Sequence, residues 1–180
     1  APPSAANGFM AFVGLDIEEA PTMGGIYRAQ LLPEPPLQVL AGIGDQVPGE
    51  PAGARFNRFG EGLSISSDGR FVSFWGAWGT ATTTKVLYCP ADGNVDLLAY
   101  CNATYPAGYT AYIPVNQGIF LADAQTGAII PVAKTGHEGM SDFVYWVFSG
   151  RPPGVGGVED GSVETTEPPR WRSSAFAALS

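Results

Sequence analysis

Short apolar and aromatic runs that end in glycine recur along the chain. Two of them read FMAFVG, from Phe9 to Gly14, and FVSFWG, from Phe71 to Gly76. Branched and aromatic side chains favour strands, and glycine marks the point where a strand ends. The 24 glycines and 16 prolines among 180 residues leave few windows for a helix of ordinary length. The pattern therefore predicts an all-β chain of many short strands joined by turns.

The two runs belong to an internal repeat. They lie 62 positions apart, and GIY at 25–27 matches GIF at 118–120 at an offset of 93. LQVLAGIGD at 37–45 matches IIPVAKTGH at 129–137 at an offset of 92. Because the three matches occur in the same order, the sequence predicts two copies of one unit.

Turn signals and a fourth match complete this unit. Asn7-Gly8 precedes the first run as Asp68-Gly69 precedes the second, and both dipeptides favour hairpins because they accept positive φ. Residues 63–66 also match residues 177–180. Residues 1–6 are interpreted as an exposed lead-in.

The length of 180 residues predicts a single domain, 1–180. The first repeat is placed at about 7–66 and the second at about 67–180. The second contains insertions at about 79–116 and 138–170, which hold both cysteines and most of the tyrosines. We expect these insertions, rather than the repeated unit, to carry the function that is specific to this protein.

The stretch LSISSDGRFVSF at 63–74 resembles the repeat of TolB-type β-propellers. GDQVPG at 44–49, FNRF at 56–59 and GIY at 25–27 make the chain similar to secreted tandem-repeat proteins. Their blades carry G-D-x-x-P-G, F-x-x-F, S-x-D-G-x-V-x-F and G-I-Y. The second copy departs from this pattern at 137–140, HEGM, where D-x-x-P-G is expected.

This resemblance implies four-stranded blades, about two in this chain, or three if the insertions form one. Because propellers need about 4 to 8 blades, the ring is expected to close by self-association of two or three copies or to belong to a longer propeller. In a closed ring, the C-terminal strand would pair beside the N-terminal strand of another chain. The family has a recognisable fold and no settled activity. The residues leave open a compact β-sandwich or barrel in which the repeat is incidental.

The net charge of the chain makes some classes of binding partner less favourable. Nine basic and 17 acidic residues give a formal net charge of −8, so nucleic acid and anionic lipid surfaces are expected to repel the chain. No apolar run approaches the roughly 20 residues that span a bilayer, so no membrane span is expected.

Cys89 and Cys101 lie twelve positions apart. A pair closing one loop predicts a disulfide and an oxidising compartment, extracellular or periplasmic; two free buried thiols are the alternative. The spacing lacks C-x-x-C, and with a single histidine no metal site is expected. Asn102 begins a glycosylation sequon, relevant if the source is eukaryotic.

Candidate site residues are sparse. His137 is the only imidazole and the one candidate for histidine acid–base catalysis, with an ordinary loop residue as the alternative. The aromatic residues Trp78, Tyr109 and Trp146 are candidates for binding, whereas burial in the core or an interface is the alternative. The acidic stretch at 159–167 offers oxygen ligands for calcium but lacks a dedicated loop pattern, so no cofactor is expected.

Two functions remain after these steps. The first is a secreted, non-enzymatic β-propeller-type module that binds a glycan or a protein or assembles structurally, as a homo-oligomer. The second is an extracellular carbohydrate-active enzyme, a polysaccharide lyase or glycoside hydrolase, with a loop-built site that includes His137. The common catalytic motifs are missing from the sequence, which favours the binding module.

Overall fold

A computed structural model describes residues 3–17, 20–92 and 94–135. Within them, eight strands form two antiparallel sheets, and neither sheet closes on itself. The all-β class is therefore confirmed. Sheet 1 joins β1 to β4 and sheet 2 joins β5 to β8, both in chain order. The elements are β1 (Ser4–Ala6), β2 (Phe9–Leu15), β3 (Gly24–Gln30), β4 (Gln38–Gly42), β5 (Phe56–Ile65), β6 (Phe71–Leu87), α1 (Val95–Thr104), β7 (Tyr109–Asp123) and β8 (Ile129–Lys134).

The two sheets repeat one structural unit. Phe12 pairs with Tyr27 in sheet 1, and Phe74 pairs with Phe120 in sheet 2, at the offsets of 62 and 93 found in the sequence. Each sheet also has a β-bulge immediately before Tyr27 or Phe120, where the strand pairs with β4 or β8. A β-bulge bends the strand, changes the direction of its side chains and marks a defined position in the pairing. The two copies therefore share their irregularity as well as their pairing.

The sheets divide the chain differently from the predicted repeats. Strand β5, placed in the first repeat at 7–66, pairs with β6 and so belongs to sheet 2. Sheet 1 spans 4–42 and sheet 2 spans 56–134. The proposed insertion at 138–170 and the match at 177–180 lie outside the described residues.

The expectation of an exposed lead-in at 1–6 is wrong for Ser4–Ala6, which form strand β1. The reason is the turn that follows. Asn7 and Gly8 have φ of 48° and 75°, and this left-handed pair folds the chain back so that β1 lies beside β2. The hairpin signal was correct, and it requires a strand on both of its sides.

The core lies between the sheets. Ala11 and Ile26 of sheet 1 and Val72, Phe74 and Phe120 of sheet 2 are fully buried there. These residues lie at alternate strand positions, so each sheet contributes one face. The buried faces are not equivalent in the two copies, because the counterparts of Phe74 and Phe120 lie on the far side of sheet 1. The sheets therefore stack front to back.

Side chains of sheet 1 donate hydrogen bonds to backbone carbonyl groups of sheet 2. Arg28 Nε donates to the carbonyl of Gly69 at 2.8 Å, and Gln38 Nε2 donates to the carbonyl of Ala124 at 2.6 Å. Arg28 also donates to Gln38 Oε1 at 3.1 Å. These directional bonds fix the relative placement of two faces that are otherwise apolar.

The loop at 44–55, which begins with GDQVPG, is tied to the edge of sheet 2. Lys134 Nζ lies 2.5 Å from Glu50 Oε1 and donates to the carbonyl of Pro48 at 3.2 Å. The Lys134 side chain is only 4% exposed. A buried cation requires such partners because its desolvation is costly.

Candidate functional site

Sheet 2 carries an extension that sheet 1 lacks. Strands β6 and β7 have 17 and 15 residues, whereas β2 and β3 have seven each. The extra length pairs residues 82–87 with residues 109–114. An irregularity between Trp78 and Thr82 separates this pairing from the rest of the sheet. The insertion expected at 79–116 is therefore largely a hairpin, here called the arm.

Helix α1 and a disulfide close the end of the arm. Asn94 caps the helix by accepting from the N–H groups of Asp96 and Leu97 at 3.0 and 3.2 Å, as N-cap residues do. Cys101, fully buried on the helix, is bonded to Cys89 with the two Cα atoms 5.8 Å apart. The predicted disulfide is confirmed, and it holds the helix against the end of β6.

The two faces of the arm differ in burial. Leu87, Ala111 and Ile113 are each less than 5% exposed and lie on one face. The opposite face is open. We call it the arm face, together with the strand positions at its base. Its polar and aromatic residues are Trp78, Thr82, Thr84, Thr110, Tyr112 and Asn116, and the apolar Val86 and Pro114 lie on the same face.

Tyr112 is the most prominent residue of the arm face, with 68% of its surface exposed. It pairs directly with Thr84, and Thr110 is the next residue along β7 on the same side. Asn116 continues this row, so the row from Thr110 to Asn116 is about 20 Å long. An aromatic ring flanked by hydroxyl and amide groups offers both an apolar surface and hydrogen-bonding groups.

A groove of about 480 Å³ lies at the base of the arm face. Asn57 Nδ2 donates to the carbonyl of Gly79 at 2.6 Å and so fixes one wall. Polar and apolar residues both line the groove, and Trp78 and Asn116 belong to both the groove and the arm face. Six of the lining residues are Glu50, Arg55, Asn57, Trp78, Thr80 and Asn116.

A separate tyrosine group lies near α1. The rings of Tyr105 and Tyr109 meet edge to face with centroids 5.5 Å apart. Burial raises the pKa of Tyr105, and the neighbouring Tyr100 and Tyr109 raise it further. These contacts join the end of the helix to the start of β7.

The predicted site residues are not brought together. Trp78 is 5% exposed, its ring lies 6.1 Å from that of Phe120, and it lines the groove. Tyr109 lies on the other side of β7 from Tyr112, because the two are an odd number of positions apart. Asn102 is exposed on α1. His137 and Trp146 lie outside the described residues.

Sequence reasoning missed the polar members of the arm face. Thr84, Thr110 and Asn116 were not predicted as site residues, although Tyr112 stood among the aromatic residues of the insertion. The available signal was the alternation in TAYIPVN, where threonine, tyrosine, proline and asparagine occupy every second position from 110 to 116. That period places them on one face of a strand.

Within 3–17, 20–92 and 94–135 there is no cluster of three histidine, cysteine or acidic residues that could hold a metal ion. The acidic stretch at 159–167 lies outside these ranges. No helix in the same ranges is long and apolar enough to cross a membrane. No protein-family model, curated protein or solved structure matches the chain.

Proposed function

We propose that the protein is a non-enzymatic module that binds an extended, neutral glycan along the arm face. The observation that carries this proposal is the exposure of Tyr112 in a row of hydroxyl and amide side chains. A sugar ring presents an apolar C–H face and a rim of hydroxyl groups. Tyr112 supplies a surface for the former, and Thr84, Thr110 and Asn116 supply hydrogen-bonding partners for the latter.

The charge of the site supports a neutral ligand. None of the eight residues of the arm face carries a charge, and the chain as a whole has a net charge of −8. A polyanionic polysaccharide would be repelled by that net charge. The length of the row, about 20 Å, favours a chain of several sugar units over a single monosaccharide.

The test is binding to an array of neutral oligosaccharides, followed by titration of the best ligand. Tyr112→Ala is expected to weaken binding by about 10-fold, since exposed aromatic anchors dominate such sites. Tyr100→Ala is the matched control, because Tyr100 is 48% exposed and lies on helix α1 rather than on the arm face; the affinity should change by less than about 2-fold. An array without signal, or equal losses in both variants, would contradict the proposal.

We propose in addition that the two sheets are β-propeller-type blades of a secreted protein. Support comes from their shared register and bulge, from their front-to-back stacking, and from the disulfide, which suits an oxidising compartment. Two blades do not close a ring, so the chain would associate as a dimer or trimer. Light scattering after gel filtration measures this directly. A mass equal to the 18.8 kDa monomer would contradict closure by association.

A further inference from the structure

One aromatic pair of sheet 1 lacks the cover that its counterpart has. Phe12 and Tyr27 stack with centroids 5.6 Å apart and an interplanar angle of 22°. Phe74 and Phe120 stack at the same distance and at 23°. The second pair is fully buried, whereas both residues of the first are partly exposed. Val39, the cross-strand neighbour of Tyr27, is 58% exposed.

Strand β5 supplies much of the cover in sheet 2. The Phe56 ring meets that of Phe120 edge to face at 4.9 Å, and the Phe59 ring meets that of Phe74 in the same way at 5.7 Å. Both residues come from the first half of β5, where the chain reads FNRF. Two phenylalanines three positions apart therefore cover the aromatic pair from the edge of the sheet.

In the part of the chain that the structure describes, the corresponding part of the β2 edge, residues 13–15 beyond the end of β1, is open and is here called the half-edge. Strand β5 pairs with β6 up to Trp78, whereas β1 pairs with β2 only up to Ala11. Among the described residues, no strand lies beside Val13 and Leu15 on the β1 side. The partly exposed rings therefore lie beside the open edge of sheet 1. In sheet 2, β5 covers both the equivalent rings and the equivalent edge.

The backbone of this half-edge is oriented to accept a strand. Asp16 N–H donates to the carbonyl of Met23, so the even-numbered residues of β2 direct their backbone groups toward β3. The N–H and C=O groups of Val13 and Leu15 therefore point toward the open side. An added strand would pair with them as in other cases of β-augmentation.

We propose that this half-edge binds an extended segment of another polypeptide that carries two phenylalanines three positions apart. The segment continues the edge beyond β1, and its two rings cover Phe12 and Tyr27. The described chain carries such a segment as FNRF, in the same register on the equivalent edge of sheet 2. Basic residues within the segment suit the site, because Asp16 stands at the end of β2 and the whole chain is acidic.

The experiment uses the full chain and the synthetic peptide ARFNRFG, residues 54–60 of the same sequence. Saturable binding by calorimetry is expected, with a dissociation constant below about 1 mM. A control peptide in which both phenylalanines are replaced by serine is expected to bind at least about 10-fold more weakly. The two peptides share length and charge, so their difference isolates the rings.

Variants of the protein locate the site. Phe12→Ser is expected to weaken ARFNRFG binding by about 5-fold or more, and Tyr88→Ser, at an exposed position just after β6 in sheet 2, should leave it unchanged. Leu15→Pro removes one open N–H and should weaken binding without altering the aromatic pair. Circular dichroism and the melting temperature establish that each variant is folded.

Three results would overturn the proposal. They are the absence of saturable binding up to about 1 mM, equal binding of the two peptides, and unchanged binding by both the Phe12 and Leu15 variants. The first of these results, if it is found together with self-association through sheet 1, would assign the face to a second copy. None of these measurements depends on glycans, so failure here leaves the proposed function of the arm face standing.

Discussion

Sheets 1 and 2 are built to the same plan and differ in what lies against them. Each is a four-stranded meander with the same central pairing and the same bulge, and each stacks two aromatic rings 5.6 Å apart. In sheet 2 those rings are buried by β5 and by sheet 1; in sheet 1 they remain partly exposed. The shared unit thus determines the geometry of the rings, and the neighbouring strand determines whether they become core.

The second difference lies in the arm. Sheet 2 extends two of its strands by a paired hairpin, a helix and a disulfide, whereas sheet 1 joins β2 to β3 through a short loop. The extension leaves the shared register unchanged, because Phe74 and Phe120 pair as their counterparts do. Loops and extensions on a rigid scaffold commonly carry function. The arm face, for which we propose glycan binding, thus lies on the part that only one copy has.

The largest expected effect is a difference between equivalent phenylalanines. Phe74→Ala should lower the free energy of unfolding by about 3–5 kcal/mol, because it opens a cavity in the core. Phe12→Ala should cost only about 1 kcal/mol, since part of the ring is already in contact with water. Urea denaturation of both variants measures the two values. Equal costs would mean that the two copies are buried alike.

Removal of the disulfide tests whether the arm is independent of the shared unit. Cys89→Ala with Cys101→Ala should destabilise the arm by about 3 kcal/mol, the usual magnitude for a loop of this length. Amide exchange should accelerate in α1 and at the end of β6 and stay slow at Phe74. Acceleration throughout both sheets would show that the arm supports the whole fold.

An acid-sensitive ion pair is expected in the second copy alone. Arg70 donates to both carboxylate oxygens of Asp123, at 2.9 and 2.6 Å, and this holds the pKa of Asp123 well below its usual range. The counterpart of Asp123 in sheet 1 is the neutral Gln30. A lowered folded-state pKa gives stability that is complete above the unfolded pKa, about 3.9. That stability is lost as the pH falls below this value.

Asp123→Asn should therefore be less stable than the natural chain at pH 6, and the gap should narrow at pH 3. Urea denaturation of both proteins at the two pH values measures it. Gln30→Ala is the control in sheet 1, and its effect should not depend on pH. A gap that is constant with pH would contradict a role for the charged pair.

The smallest effect is expected at Asp16, in the short loop of the first copy. Its carboxylate accepts from Thr22 Oγ1 at 2.5 Å and from the N–H of Met23 at 3.1 Å, which lowers its pKa to about 2. Thr22→Val should raise that pKa toward the ordinary value, as followed by NMR titration. The stability linked to Asp16 is lost as the pH falls from about 4 toward 2, and it is small because the side chain is exposed. A pKa unchanged by Thr22→Val would contradict this role.

Much of the fold could be predicted from the sequence because the repeat constrains it. The offsets of 62 and 93 predicted which residues of the two copies are equivalent, and the pairing of Phe12 with Tyr27 and of Phe74 with Phe120 follows those offsets. The disulfide followed from two cysteines in one insertion. Phe12 and Phe74 occupy the same position in the repeat, so the sequence does not distinguish their burial. Burial depends on which face of each sheet a neighbouring sheet covers.

Less of the candidate site could be predicted. Trp78 attracted attention as an aromatic residue beside glycine, but most of its ring packs in the core. Tyr109 and Tyr112 look alike in sequence, and only the register of the arm separates the buried side from the open one. Thr84 and Asn116 carry no motif. They join the site because antiparallel pairing brings distant segments together.

The central claim is that sheet 1 has an open edge where sheet 2 has an edge covered by β5. Hydrogen exchange at two backbone amides of β2 tests this claim most directly. The amides of Val13 and Leu15 should exchange rapidly in the free protein, whereas the amide of Ala77, the counterpart of Leu15 on the edge covered by β5, should be protected. Addition of ARFNRFG should protect Val13 and Leu15, and the serine peptide should not. Slow exchange at Val13 and Leu15 without peptide, equal to that at Ala77, would contradict an open half-edge in sheet 1.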